Sequence, residues 1–545
     1  MSSAKGIYGL SGSGLDVESL VKVGMISQQK KYDRIYKKEV ETEWRKEAYA
    51  NVYDKTNTFK SRMSDYRLSS LTKPMTTTSS NTDAVTATAN ANAGVMAHTV
   101  EVTQAATNAY LMTASGQHVG RTGTPGSTML KDIAFAGGTR PSGMLDGDTA
   151  LKFKVSNGTG SAEVTFTAEE VFTKNLTLND LANRINNARY NASGKKTSLD
   201  IRANYDSVSD GFSLANSKTG DSNKIDLTVD TTSSSASYTT TLLNNLKLGV
   251  VSNGTIGSAM TLTTSSPTTI SMAAAGTNAN VKIDGRDYNN LQDNKLEVGG
   301  VTYTFKKPTP VGTPATVNVA QDQDKLVENV KKFVEEYNAL LDELNKLYGD
   351  KGHKDYGVLT KSQEDGMTKE QVEKWNAKAK EGLLYRDNYV RSIIGDMRDA
   401  VINPVKSVPG RYSTLSSIGI TAKDQKGHLQ IDETKLKNAI AAEPDAVYRL
   451  ISHDDENDDY GNSGVATRLY NKLGGRLKEL ERHSGVAADK TDLSELGKLI
   501  QNYEKQMSDF KKLMSSFESK LYQKYNAMEE AIARLSTQFN FFNGK

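Results

Sequence analysis

The sequence predicts an α+β multidomain protein: a terminal α-helical coiled-coil leg and helical bundle, with an inserted β-rich head. Three observations predict it. Charged, helix-patterned sequence fills residues 1–75 and returns from about 320 onward. The stretch between, about 76–280, is poor in charge and rich in Thr, Ser, Ala, Gly and Asn, and both tryptophans, Trp44 and Trp375, lie outside it. The C-terminal region carries a long apolar seam at spacings alternating between three and four. Two similar flanks around an unlike middle read as paired ends with a projecting insertion.

The chain opens on GIYGLSGSGLDVESLV, residues 6–21. A dinucleotide fingerprint would place its third glycine where Val17 stands, and too few residues precede the motif for the strand it needs. A serine-nucleophile elbow fails at Ser13. The stretch is a flexible lead into a helix, with Ser13 and Asp16 as candidate caps. Val52, Thr56, Phe59, Met63 and Tyr66 then recur at helical spacing, and after Pro74 the composition changes.

In the middle, apolar residues alternate with period two, the mark of half-buried strands: Leu151/Phe153/Val155, Val164/Phe166, Leu199/Ile201, Phe212/Leu214 and Ile225/Leu227/Val229. NGTG at 157–160 separates two of them as a hairpin loop. One helix is expected in TLNDLANRINNARY, capped by Thr177 with Asp180. For 231–280, strand and disorder both remain open, since no aromatic follows Tyr238 there.

Helices resume with Val327, Val330, Val334, Tyr337, Leu341 and Leu344, ending near Gly349 as a C′ residue. TKEQVEKWNAKAKEGLL has a capping box in Thr368 and Gln371 and stops at Gly382. LSSIGITAKDQKGHLQIDETKLKNAI reads as strand, turn, strand, helix, with Asp432 as N-cap, and Pro444 opens another short helix. The final seam runs Leu493, Leu496, Ile500, Tyr503, Met507, Phe510, Met514, Phe517, Leu521, then Tyr525, Met528, Ile532, Leu535, Phe539 and Phe542. Its extra four-residue step at Leu521–Tyr525 is a stutter that relaxes the supercoil. Such a helix is roughly 75 Å long at 1.5 Å per residue. Its last turns are aromatic (Phe539, Phe541, Phe542) and poorly placed for a private core, so they suit an assembly surface.

The search for chemistry excludes more than it finds. A net charge of +3 on 68 basic and 65 acidic residues gives no field for nucleic acid. Without cysteine there are no disulfides, thiolate catalysis or cysteine-ligated zinc. No apolar run approaches the ~18 residues of a membrane span, and no secretory signal opens the chain. SGKKT (193–197) lacks the first glycine of a phosphate loop, which falls on Arg189. The acidic run at 454–459 fails as a calcium loop because Tyr460 and Ala466 stand where glycine and glutamate are needed. Histidines 98, 118, 353, 428, 453 and 483 show no metal-ligand spacing. No catalytic, cofactor-binding or metal residues are therefore assigned, and no enzyme is expected.

SGSGLDVESLV, then TEWRKEAYANVYDKTNTFKSRM, resembles the N-terminal region of the flagellar filament cap family (FliD, a hook-associated protein). VKIDGRDY, KFVEEYNALLDEL, EGLLYRDNYVRSI, LSSIGITAKDQKGHLQIDETKLKNAI, PDAVYRLI and YQKYNAMEEAIARLSTQ follow in that family's order. LTLNDLANRINNARYNASG looks like a motif of flagellin-type head domains, and the rest of the middle has no clear match.

The resemblance implies a ring-shaped, pentamer-like homo-oligomer at the distal filament tip, outside the cell, that promotes flagellin insertion, folding and polymerisation. It also implies export through the flagellar type III route without a cleaved signal, with the export apparatus and its chaperone as partners. Host mucin or glycan is a further partner class for the head. The competing readings are a hook–filament junction protein or flagellin, a surface adhesin, and an unrecognised hydrolase. The expected domains are a leg (1–40 with 505–545), a helical stalk with a small β element (41–75 with 323–504), a β-rich head domain (76–109 with 271–322) and an outer β-rich head domain (110–270). The expected filament-contact residues are Leu15, Leu20, Leu521, Tyr525, Met528, Ile532, Leu535, Phe539 and Phe542.

Overall fold

The computed structural model describes residues 16–120, 128–252, 254–455, 459–485 and 492–542. The chain forms two compact units, one from the flanks (to Pro74 and from Asp322) and one from Met75–Gln321. The architecture is mixed α+β, as the composition shift predicts.

The flank unit is helical. Its longer helices are α1 (Val17–Tyr66), α2 (Gln323–Gly349), α3 (Lys369–Ala379), α4 (Asn388–Ile402), α5 (Glu433–Ala442), α6 (Pro444–Ser452), α7 (Val465–Ser484) and α8 (Glu495–Phe542). Local capping sets several starts: Asp16 accepts from Ser19 N (3.0 Å), Asp432 from Lys435 N (3.1 Å), and Thr368 with Gln371 closes a capping box. Ser13 lies outside the described residues. Gly349 is the last residue of α2, whereas the expected role was a left-handed residue beyond it; Asp350, in extended conformation, ends the helix. Helix α3 ends at Ala379, and Gly382 follows with φ 77°.

The second half of α1 contributes Tyr49, Val52, Phe59, Met63 and Tyr66 to one core with the α2 stripe from Val327 to Leu344. Ile393 and Met397 of α4, Leu436 and Ile440 of α5, and Leu469 and Leu473 of α7 complete it. Burying each such side chain is worth about 1.5–3 kcal/mol, so this core dominates the unit's stability.

Two polar features tie backbone to this core. Arg468 is 1% exposed, and its guanidinium donates to four carbonyls: Tyr460 (2.8 Å), Asn403 (2.7 Å), Pro404 (2.7 Å) and Gly461 (2.8 Å). Burial pulls its pKa below the ordinary guanidinium value. The Asn338 side chain donates to Leu429 O and accepts from Leu429 N, both at 2.8 Å, pairing like a neighbouring strand with the ribbon Ile420–Ala422/Leu429–Ile431.

His428 lies between two carboxylates, with Nδ1 2.6 Å from Asp424 and Nε2 2.8 Å from Asp342. The Asp424 hydrogen bond leads the causes that raise its pKa above the usual histidine value. The stability this contributes is fully present below the unfolded histidine pKa of about 6.5 and is lost as pH rises through the folded value above it. The expected result is that His428→Asn lowers the melting temperature by about 2 °C at pH 6 and by less at pH 9. Parallel thermal melts of the two proteins check it, and an equal deficit at both values refutes the charged bridge.

The Met75–Gln321 unit is almost entirely antiparallel sheet. One sheet orders its strands Met75–Ser79, Ala315–Gln321, Ala97–Gln104, Ala279–Ile283, Arg286–Leu291. With the three-stranded sheet containing Val301–Phe305 it encloses a core of Val100, Val102, Ile283, Tyr303 and Val317. A second core, from Ala109 to Ala274, takes the alternating residues of the sequence pattern, with Leu151, Phe153, Val155, Val164, Phe166, Leu214, Leu227 and Val229 all buried. Leu199 is buried just before its strand, Ile201–Asp206.

Thr177 and Asp180 form the expected capping box on the helix Leu178–Asn186. Asn157 accepts from the backbone of Thr159 (2.9 Å) and Gly160 (2.8 Å), closing the NGTG hairpin. Residues 193–194 of SGKKT are a hairpin turn with φ of 49° and 83° at Ser193 and Gly194, the left-handed pair such a turn requires. Residues 231–280 include a helix, Ala236–Asn245, and strands Leu248–Ser252, Thr263–Ser266 and Thr269–Ala275.

Candidate assembly surface

The first half of α1 and most of α8 pair antiparallel, residue by residue. Gly24 meets Leu521 so closely that a β-carbon there would lie 2.8 Å from a Leu521 methyl. Further along, Lys511 Nζ sits 5.5 Å from the Tyr32 ring. Glu39 then lies within the field of Glu504, and Lys46 is ion-paired to Asp492. As α1 advances, its partner on α8 recedes. Val17 and Val21 of α1 are buried in this seam.

Where the pair joins the bundle, Tyr49 Oη donates to Asp387 (2.5 Å), and burial with this carboxylate pushes the phenol pKa up. His483 stacks on Tyr389 (centroids 4.5 Å) and binds Glu495 (2.7 Å) at the first turn of α8.

The sequence-predicted contact residues divide along this pair. Leu15 lies outside the described residues. Leu20, Leu521, Tyr525 and Ile532 are half-buried. Met528 is 39% exposed, Leu535 64% and Phe539 68%; Phe542 closes α8, and its side chain is outside the described set. Two differences from the predicted seam stand out. Leu493 precedes α8 and is exposed, so the seam begins at Leu496. Beyond Tyr525 the inward position goes to Glu529, 8% exposed, and not to Met528.

Sequence reasoning missed Gly24 and Glu39. Gly24 falls at seam spacing after Val17 and Val21, a signal that was legible. Glu39 is 9% exposed, and burial, with Glu43 and Glu504 nearby, raises its carboxyl pKa. Val23, Ile26 and Leu513 are exposed on the same pair, so apolar surface runs along much of it. Among the described residues no group of three or more His, Asp or Glu side chains could hold a metal ion.

A long antiparallel helix pair with exposed apolar surface and no metal site among the described residues is the build of a structural assembly protein, and comparison with known proteins gives its class. The family model described as "Flagellar hook-associated protein 2 N-terminus" matches residues 13–109, and that of its C-terminus matches 276–537. The flagellar hook-associated protein 2 of Halalkalibacterium halodurans is 25% identical over 97% of this chain and 97% of its own. The B-type flagellar hook-associated protein 2 of Pseudomonas aeruginosa is 29% identical over 47% of this chain and 48% of its own. The crystal structure of the flagellar cap protein FliD D1-D2-D3 domains from Escherichia coli superposes with a TM-score of 0.46 at 20% identity, covering 78% of this chain and 95% of that one. The chain belongs to the flagellar hook-associated protein 2 family, the FliD cap proteins of the bacterial flagellum.

Proposed function

We propose that this protein caps the distal end of the growing filament as a ring-shaped oligomer and promotes flagellin insertion, folding and polymerisation. The observation that carries the reading is the exposed apolar end of α8, Leu535 and Phe539, on a helix pair too thin to cover it. The action is steric and conformational, and no bond chemistry is required. The terminal pair is the leg, 1–40 with 505–545, and engages flagellin at the tip through the half-buried and exposed residues between Leu521 and Phe539. Residues 41–75 with 323–504 form the stalk that holds it, and the β-rich middle forms a plate. The protein reaches the tip through the flagellar export apparatus, escorted by a chaperone.

Electron microscopy of the purified protein, with and without filament ends, tests the reading. Plates bound at filament tips are expected, and their symmetry gives the number of copies. Filaments whose ends stay bare at saturating protein overturn it.

A further inference from the structure

We propose that residues 353–381 form a separable strap that clips the root of the leg, residues 36–47 of α1, and fixes its direction where it leaves the stalk. The strap rests on the leg reading above, because that root is what it holds. Tyr36, Val40 and Trp44 recur on α1 at i, i+4 and i+8, and all three are half-buried. At 3.6 residues per turn they stand about 90° round the helix from Tyr32 and Glu39, which face α8. The buried core of the bundle takes α1 only from Tyr49 onward. Cover for this second stripe comes from the segment between α2 and α4. Lys380 Nζ pairs with Glu47 at 2.6 Å and lies 5.6 Å from the Trp44 ring. At the other end of the stripe burial raises the Tyr36 phenol pKa, and Glu364 is the carboxylate that adds most to the rise.

The segment folds on itself. Tyr356 packs on Trp375 with centroids 4.6 Å apart, Trp375 Nε1 donates to Gly357 O (2.7 Å), and Lys378 lies over Tyr356 (4.8 Å). Leu359 is 3% exposed yet lies outside the bundle core. The two ends of the segment meet at a neck, where Gly352 and Gly382 have φ of 63° and 77°. A β-carbon on Gly382 would lie 2.7 Å from Gly352 Cα, so the backbones cross where only glycine fits. The two Cα atoms are then no more than about 4.2 Å apart, close to the ~3.8 Å of consecutive residues. Below the crossing, Arg386 N donates to Tyr348 O (3.0 Å) and seals the base. The chain therefore leaves and re-enters the bundle at one point. Its clip on α1 is an ion pair with both partners exposed and a cation over an indole, contacts that salt screens. So light an attachment opens far more readily than the packed bundle.

Trp44 reports the clip once the other tryptophan is replaced. In full-length Trp375→Phe, acrylamide quenching of fluorescence measures how well Trp44 is covered. Adding Lys380→Glu is expected to raise the quenching constant at least twofold, and adding Glu47→Lys to that protein should restore it. A second variant excises 353–381 and joins Gly352 to Gly382. Unchanged melting of its bundle is expected, with amide exchange at 36–47 at least tenfold faster and exchange in α2 unaltered. Equal quenching in the three tryptophan proteins overturns the clip. An excised chain that fails to fold, or one whose exchange at 36–47 is unchanged, overturns the strap. Flagellin is absent from both measurements, so their failure and that of the tip-binding assay are read separately.

Discussion

Replacing Leu535 and Phe539 together by Asp leaves the purified protein melting within about 2 °C of the wild type and stops filament growth, with flagellin monomer released into the medium. Both side chains are mostly exposed in the single chain, so charge there meets water and costs little folding free energy. The same two charges pressed into an apolar contact would each cost several kcal/mol of desolvation. Effects on stability and on assembly therefore separate by a wide margin. Melting of the variant, flagellin in the culture supernatant and swimming in soft agar are the three measurements. A fall of 10 °C or more, or normal filaments without leakage, defeats the assembly role.

The second large effect falls on folding. Arg468→Met removes a guanidinium that four backbone carbonyls share; Gly461 O keeps the Lys406 N–H (2.9 Å), while the carbonyls of Tyr460, Asn403 and Pro404 lose the guanidinium donor. Orphaned buried acceptors cost about 1–3 kcal/mol each, partly relieved when water enters. A net loss of about 3–5 kcal/mol is expected, which lowers the melting temperature by about 10 °C. Arg468→Lys should rescue little, because an ammonium on a flexible stem cannot reach four acceptors arranged about a planar fork. Thermal melts of both variants check this. A lysine variant as stable as the wild type would show that charge alone, and not the fork, holds the Asn403–Pro404 and Tyr460–Gly461 segments.

Periodicity made the helical core and the strands legible. The stripe from Val327 to Leu344 and the alternation in Leu151–Val155 are both buried as their spacing demands. Capping residues were equally plain, because Thr368/Gln371, Thr177/Asp180 and Asp432 act within four residues of themselves. What escaped is largely non-local. Arg468 finds two of its four acceptors, Asn403 and Pro404, more than sixty residues away, in carbonyls every residue possesses. Apolarity pointed to Met528 as the inward residue, whereas Glu529 is the one that is buried. The exposed apolar end of α8 was legible as an excess of apolar residues in its last turns.

The asparagine clamps give this fold a chemical lifetime as well as a thermodynamic one. Besides Asn338 on Leu429, Asn186 grips both backbone groups of Ala203 (2.7 and 3.0 Å), and Asn294 grips those of Ala106 (both 2.7 Å). Each clamp needs an amide, with one donor and one acceptor. Slow hydrolysis to a carboxylate takes away the donor and turns a negative charge toward a carbonyl oxygen. The residues that follow are Asn187, Lys295 and Ala339 and never glycine, so a side chain crowds the ring closure through which such hydrolysis proceeds. At these three clamps, therefore, the residue that follows each asparagine slows the loss of its amide.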